Sequence, residues 1–184
     1  MKNTILSLTL IIAVSLSTFA QNGNKLVTKK THFKIYSHTS VEDIEANNYK
    51  SVGTINPENG EIIFSVPMQS FEFEKAKMQQ HYNSPKFLDT KKFPKAKLKG
   101  KITNLGDVNF KSDGKYNVNI EGELSIHGQS KQINEKATIN VKGNSIMLNC
   151  TLNLTLADFG IAFKDGKPST NIAKIIETTV IAEY

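Results

Sequence analysis

The chain has 184 residues, a single cysteine, no tryptophan and a net charge of +6. That length suits one domain and is too short for a kinase or a two-domain dehydrogenase, and one cysteine excludes an internal disulfide. All 23 basic residues are lysines, so bidentate guanidinium recognition of phosphate or guanine is excluded as well.

In chain order, Lys2 leads an apolar stretch from Ile5 to Phe19. Thr18 and Ala20 are small residues placed for cleavage before Gln21. Residues 1–20 therefore read as a signal peptide and residues 21–184 as one domain, periplasmic or secreted after cleavage near Ala20. The apolar run is short for a membrane span, and no cysteine follows the cleavage point to carry a lipid anchor.

From Val27 onward period-two alternation dominates, which is the signature of strands with one buried face. Strands are predicted over 27–37, 44–55, 61–68 and 96–104. Phe73 to Leu88 departs from this pattern, with Glu74, Met78 and Tyr82 at helical spacing. Ser84-Pro85 reads as an N-cap followed by proline at the first helical position. One or two short helices are expected there, between strands 3 and 4. Four stronger alternating runs follow, over 116–126, 133–141, 146–156 and 176–184. Asn56-Pro57-Glu58-Asn59-Gly60, Ser112-Asp113-Gly114, His127-Gly128 and Lys142-Gly143-Asn144 supply the turns. About eight strands joined mostly by short turns predict an all-β, antiparallel meander.

Several polar residues interrupt the pattern. Glu135 falls on the apolar parity between Ile133 and Ala137. It is either an inward carboxylate, which needs a partner or a raised pKa, or it is turned outward by a bulge. Cys150 shares the parity of Leu148 and Leu152 and reads as a buried, inert thiol. Asp158 reads as a capping residue for nearby amides. Lys95, Lys97, Lys99 and Lys101 share one strand face. This is either a solvated or edge-protecting face, or one that makes transient contact with an anionic membrane surface. Nucleic acid is not an expected partner, because that face lacks arginine and interleaved aromatics.

Three segments carry a resemblance. They are His81-Tyr82-Asn83-Ser84-Pro85-Lys86-Phe87-Leu88-Asp89 with Lys92-Phe93-Pro94, then Gly122-Glu123-Leu124-Ser125-Ile126-His127-Gly128 with Lys131, and Ala157-Asp158-Phe159-Gly160-Ile161. In that order they resemble the YceI-like lipid-binding family over nearly all of residues 21–184. The resemblance implies a lipocalin-like antiparallel β-barrel of about eight strands that holds a long isoprenoid or similar amphiphilic lipid in an apolar channel. Asn83 and Lys86 depart from the family pattern, which bears on the head group more than on the fold.

On this reading the lipid-binding lining follows from inward parity. The first half of the chain contributes Phe33, Ile35, Phe64, Val66, Leu98 and Ile102. The second half contributes Val118, Ile120, Leu124, Ile126, Leu148, Leu152, Leu154, Ile176 and Val180. With only two aromatics, these side chains are expected to leave a barrel unfilled. His81, Lys92 and His127 are candidates for the head group or mouth, the histidines otherwise being turn residues satisfied by backbone. No cofactor is expected, an isoprenoid lipid or quinone being the ligand, and the oligomeric state is not specified. No nucleophile–base pair, metal spacing or phosphate loop is present, so catalytic and metal-binding residues are not expected. Two alternatives stand beside this reading. One is an enzyme with an unrecognised site. The other is a small outer-membrane β-barrel with its apolar parity facing lipid, which would direct four lysines of one strand into a narrow lumen.

Overall fold

The alternating runs form one antiparallel sheet in the computed structural model, which describes residues 25–161 and 171–184. The expected signal peptide lies outside the described residues. In chain order the elements are β1 (Leu26–Val27), β2 (Lys30–His38), β3 (Asp43–Asn48), β4 (Val52–Ile55), β5 (Glu61–Pro67) and β6 (Glu72–Phe73). There follow α1 (Ala76–Asn83), β7 (Lys95–Ile102), β8 (Gly114–Ile126), β9 (Gln129–Lys142), β10 (Ser145–Thr155) and β11 (Ile175–Glu183). The sheet order is β1-β4-β5-β7-β8-β9-β10-β11-β2-β3-β6. It curls on itself into a lipocalin-like half-barrel, apolar residues inside and lysines outside.

Among the described residues eleven strands stand where about eight were expected: two predicted runs are broken, and β6 forms where the helical stretch was expected to begin. The first divides at Thr28–Lys29 into β1 and β2, and the second at Tyr49–Ser51 into β3 and β4. Each break carries the chain from one edge of the sheet to the other. β3 pairs with β2, whereas β4 pairs with β5 and β1. Asn48, fully buried, pins this crossing. Its Nδ2 donates to the Pro67 carbonyl at 2.8 Å, and its Oδ1 accepts from Lys50 N at 2.8 Å and Ser51 Oγ at 3.2 Å. Beside it Thr31 Oγ1 donates to the Ser51 carbonyl at 2.7 Å and Thr28 N to the Gly53 carbonyl at 2.9 Å. The sheet is thus joined edge to edge at one end. At the other end β3 and β5 diverge, and β6 and α1 fill the gap.

The helix is a single one of eight residues, and Ser84 ends it instead of starting another. Its backbone N–H and its hydroxyl both donate to the His81 carbonyl, at 3.1 and 2.8 Å. Pro85 cannot continue the helix, and it drives the following residues into turns. Glu74 precedes the helix, while Met78 and Tyr82 share its inner face.

Two glycine positions shape the wall. Gly100 and Gly122 face each other in the β7–β8 register, both on inward parity. A Cβ on Gly122 would lie 2.4 Å from the Gly100 Cα, so only glycine allows the backbones this close. At the β8–β9 turn His127 and Gly128 both have positive φ, 52° and 77°, as a two-residue primed turn requires.

The interior has a solid end and a hollow end. Ile55, Ile62, Ile102, Ile139 and Val118 are essentially fully buried, with Ile55 opposite Ile62 beside the Asn56–Gly60 turn. Toward α1 the walls part.

Candidate functional site: an apolar cavity

The hollow end holds an open-mouthed cavity of about 540 Å³. Its wall comes from the inward residues of β2, β5, β7, β8, β9, β10 and β11. Its roof is the irregular stretch between β5 and β7, with Met68, Phe71, Phe73, Met78, Tyr82, Phe87 and Leu88 pointing inward. The lining is almost wholly apolar, and within this size range one small amphiphile is accommodated.

Of the residues assigned to the lining by parity, thirteen border the cavity: Phe33, Ile35, Phe64, Val66, Leu98, Ile120, Leu124, Ile126, Leu148, Leu152, Leu154, Ile176 and Val180. Ile102 and Val118 do not, and their assignment is corrected. They have the right parity but are buried within the core cluster, away from the cavity. Met68 ends the predicted strand 61–68 on the parity of Phe64 and Val66 but was not assigned to the lining. The other roof residues were missed because they lie outside alternating strands, and of these only Met78 and Tyr82 carried a signal, their helical spacing.

The three mouth candidates separate in the same way. His81 is exposed and borders the cavity. Lys92 and His127 do not border it. Lys92 Nζ sits 5.2 Å from the centre of the Phe93 ring, and that ring packs edge-on against His127 at 4.5 Å. His127 Nδ1 donates to the Phe159 carbonyl at 3.2 Å. Three sequence-distant segments therefore meet at the Phe93–His127–Phe159 junction, which ties the loop before β7 to the β8–β9 turn and the turn after β10. Asp158 is exposed and caps nothing among the described residues. Gly160, with φ 61°, ends that turn instead.

Glu135 points inward and no bulge displaces it. It sits opposite Ile120 in the β8–β9 ladder and borders the cavity. Its carboxylate has no partner among the described residues, and burial pushes its pKa above the ordinary 4.5. The neighbouring Cys150 also borders the cavity and donates to the Lys136 carbonyl at 3.5 Å. Burial first, then the negative Glu135, push its thiol up to about 11, so it is protonated at neutral pH and a poor nucleophile.

The wall is split beside these residues. The β9–β10 ladder ends at Cys150↔Ala137. Beyond that point β9 stays with β8 and β10 with β11. Ile133 and Glu135 on β9 and Leu152 and Leu154 on β10 lie beyond the end of the ladder, all four half-buried and bordering the cavity.

The raised pKa of Glu135 means that the native state keeps this proton to higher pH than the unfolded chain does. Glu135 therefore costs stability progressively as pH rises through the interval from 4.5 to the native value. Glu135→Gln should melt at the wild-type temperature below pH 4.5 and above it near neutrality. A melting difference that does not change with pH would contradict the assignment.

The lysine row lies outside, exposed, on β7. This strand is paired on both sides, by β5 and β8, so edge protection is not its role. Glu61 and Glu121 face Lys101 across the two ladders, and Glu123 faces Lys99. Apolar residues inside and lysines outside are the reverse of a membrane barrel's arrangement. No helix among the described residues is long and apolar enough to cross a membrane, and none of their His, Cys, Asp and Glu side chains form a metal-binding group.

A curled antiparallel sheet, hollow at one end and roofed by a short helix, defines a lipocalin-like barrel. The chain belongs to the YceI-like domain family, whose model matches residues 22–183. A UPF0312 protein of Pseudomonas putida is 30% identical over 132 residues, 68% of this chain. The match spans 64% of that relative's length. A UPF0312 protein of Pseudomonas syringae is 32% identical over 117 residues, 60% of this chain and 57% of the relative. Among solved structures, a polyisoprenoid binding domain from Saccharophagus degradans superposes with a TM-score of 0.72 at 12% identity, covering 86% of this chain and 96% of that one. Burkholderia cenocepacia BcnA gives 0.69 at 14% identity, covering 84% and 96%. At these identities the structural likeness establishes the fold.

Proposed function

We propose that the protein binds a long-chain isoprenoid or related amphiphilic lipid in its cavity, as a non-catalytic carrier or store in the periplasm. The observation that carries this reading is the apolar cavity of about 540 Å³, open on one side, which the protein's own side chains leave unfilled. A packed core leaves few voids larger than a water molecule, so a space of this size needs another occupant. Transfer of an alkyl chain into it is favourable by about 0.8 kcal/mol per buried methylene, enough for tight binding without an elaborate polar site. The family membership and the polyisoprenoid-binding neighbour support the ligand class, and the apolar leader ending at Ala20 supports the location. In the lipid-bound state the apolar chain lies along Leu124, Leu148, Leu152 and Val180, and His81 stands at the exposed rim.

The test is extraction of lipid from protein purified from its native source, followed by mass spectrometry. A stoichiometric isoprenoid or other long-chain amphiphile is expected. Protein that is fully folded and lipid-free from that source, and takes up none on exposure, would overturn the reading. Transient contact of the lysine row with an anionic membrane surface is a companion proposal, with Glu61, Glu121 and Glu123 facing Lys99 and Lys101 and offsetting part of the row's charge. Changing Lys95, Lys97, Lys99 and Lys101 to glutamine should reduce binding to anionic vesicles only at low salt, where screening is weak. Co-sedimentation across a salt series reads this directly.

A further inference from the structure

Among the described residues three buried side-chain oxygens have no hydrogen-bond partner: the hydroxyls of Tyr82, Thr178 and Tyr184. Tyr82 and Thr178 border the cavity, whereas Tyr184 does not. Thr178 stands between Ile176 and Val180 on the inward face of β11, opposite Leu152 on one side and Ile35 on the other. Valine has nearly its shape and would suit this aliphatic wall without a hydroxyl to satisfy. Tyr82 hangs from the roof with its ring against Phe73 at 4.9 Å and Phe71 at 5.8 Å, where phenylalanine would pack equally well. A buried hydroxyl without a partner is a net cost in the empty protein. In both places the sequence carries the costly member of an isosteric pair, and in both the hydroxyl borders the same cavity.

We propose that Thr178 and Tyr82 are hydrogen-bonding stations for a neutral oxygen function of the ligand, a hydroxyl or carbonyl, buried inside the cavity. This rests on the lipid-binding reading and refines it: the ligand has polar chemistry within the barrel, not only a head group at the rim. The function is neutral because among the described residues the only lysines bordering the cavity, Lys86 and Lys97, are exposed, so a desolvated phosphate or carboxylate beside either station would have no buried counter-charge from them. A threonine hydroxyl donates and accepts, and a tyrosine hydroxyl is a strong donor. Glu135, which borders the same cavity and has no partner among the described residues, adds a third polar group to its lining.

The experiment uses the delipidated full chain with three probes: geranylgeraniol, geranylgeranyl phosphate and the matching hydrocarbon. The variants are Thr178→Val, Tyr82→Phe and, as a control remote from the cavity, Tyr184→Phe. Thr178→Val and Tyr82→Phe should each weaken the alcohol by roughly two- to tenfold, the range of one net hydrogen bond, and leave the hydrocarbon unchanged. Ligand-free, both variants should melt at or above the wild-type temperature, which separates lost recognition from lost folding. Tyr184→Phe should change neither probe. Equal binding of the alcohol by wild type and both cavity variants would overturn the stations while leaving lipid binding intact. Wild-type preference for the phosphate over the alcohol would overturn the neutral function. Failure of all three probes to bind wild type would bring down the lipid-binding reading, and the stations with it.

Discussion

Leu152→Phe should abolish or sharply reduce lipid occupancy while changing stability by less than about 1 kcal/mol, whereas Ile102→Phe should destabilise by about 1–3 kcal/mol or more. Both residues are aliphatic, inward by parity and set on strands of the same sheet. They differ in what lies in front of them. Leu152 is half-buried and borders the cavity, so a larger ring occupies space the lipid would take. Ile102 has no exposure and faces the closed end, where added volume forces side chains off their rotamers. Leu124→Phe should follow Leu152, and Val118→Phe should follow Ile102. Native mass spectrometry reads bound lipid, and thermal melting of the lipid-free protein reads stability. Destabilisation at Leu152 and Leu124 with lipid retained would mean that the cavity is not the binding site.

Asn48→Ala should be among the most damaging single changes outside the aliphatic core, at about 3 kcal/mol or more. Asn48 is the fully buried side chain at the point where β3 gives way to β4 and the chain changes sheet edge. Its amide satisfies the Pro67 carbonyl, the Lys50 N–H and the Ser51 hydroxyl at once. Alanine leaves those groups short of partners, the Ser51 hydroxyl in a buried position and the Lys50 N–H and Pro67 carbonyl in part-buried ones, with a void beside them. Aspartate keeps the acceptor but loses the donor to Pro67 and buries a charge, so Asn48→Asp should be no better near neutral pH. Denaturant midpoints measure the loss. Hydrogen exchange should localise it, with the Lys50 amide, which bonds the Asn48 Oδ1, exchanging faster. Asn48→Ala with a wild-type midpoint would mean that the seam does not depend on this side chain.

Much of the cavity wall was legible in the sequence. Alternation alone placed Leu124, Leu148, Leu152 and Val180 on one face, because a strand turns its side chains over every second residue whatever surrounds it. It placed Glu135 on that face too, and the structure keeps it there without a bulge. The resemblance, carried by segments around Ser84-Pro85, His127-Gly128 and Asp158-Phe159-Gly160, pointed to the family. What joins those segments is a ring contact and a carbonyl hydrogen bond that no spacing reveals. Ser84-Pro85 has the composition of a helix start, but serine and proline are equally at home just past a helix end. Only the hydrogen bonds to the His81 carbonyl distinguish the two.

The sequence by itself determined an all-β antiparallel chain with one apolar face, one short helical interruption and turns at Asn59-Gly60, His127-Gly128 and Gly143-Asn144. These are local properties, set by side-chain periodicity and by residues that accept positive φ. Only the tertiary structure decided that Ile102 and Val118 close a core while Leu124 and Leu152 border a cavity. That distinction depends on the distance between opposite walls. The distance is set by the edge crossing at Tyr49–Ser51, by the glycine contact of β7 with β8 and by the parting of β9 from β10 beyond Cys150. Each of these joins residues far apart in the chain. For the same reason the hydroxyls of Thr178 and Tyr82, unremarkable in the sequence, become unpartnered groups beside a single cavity only once the sheet has curled around it.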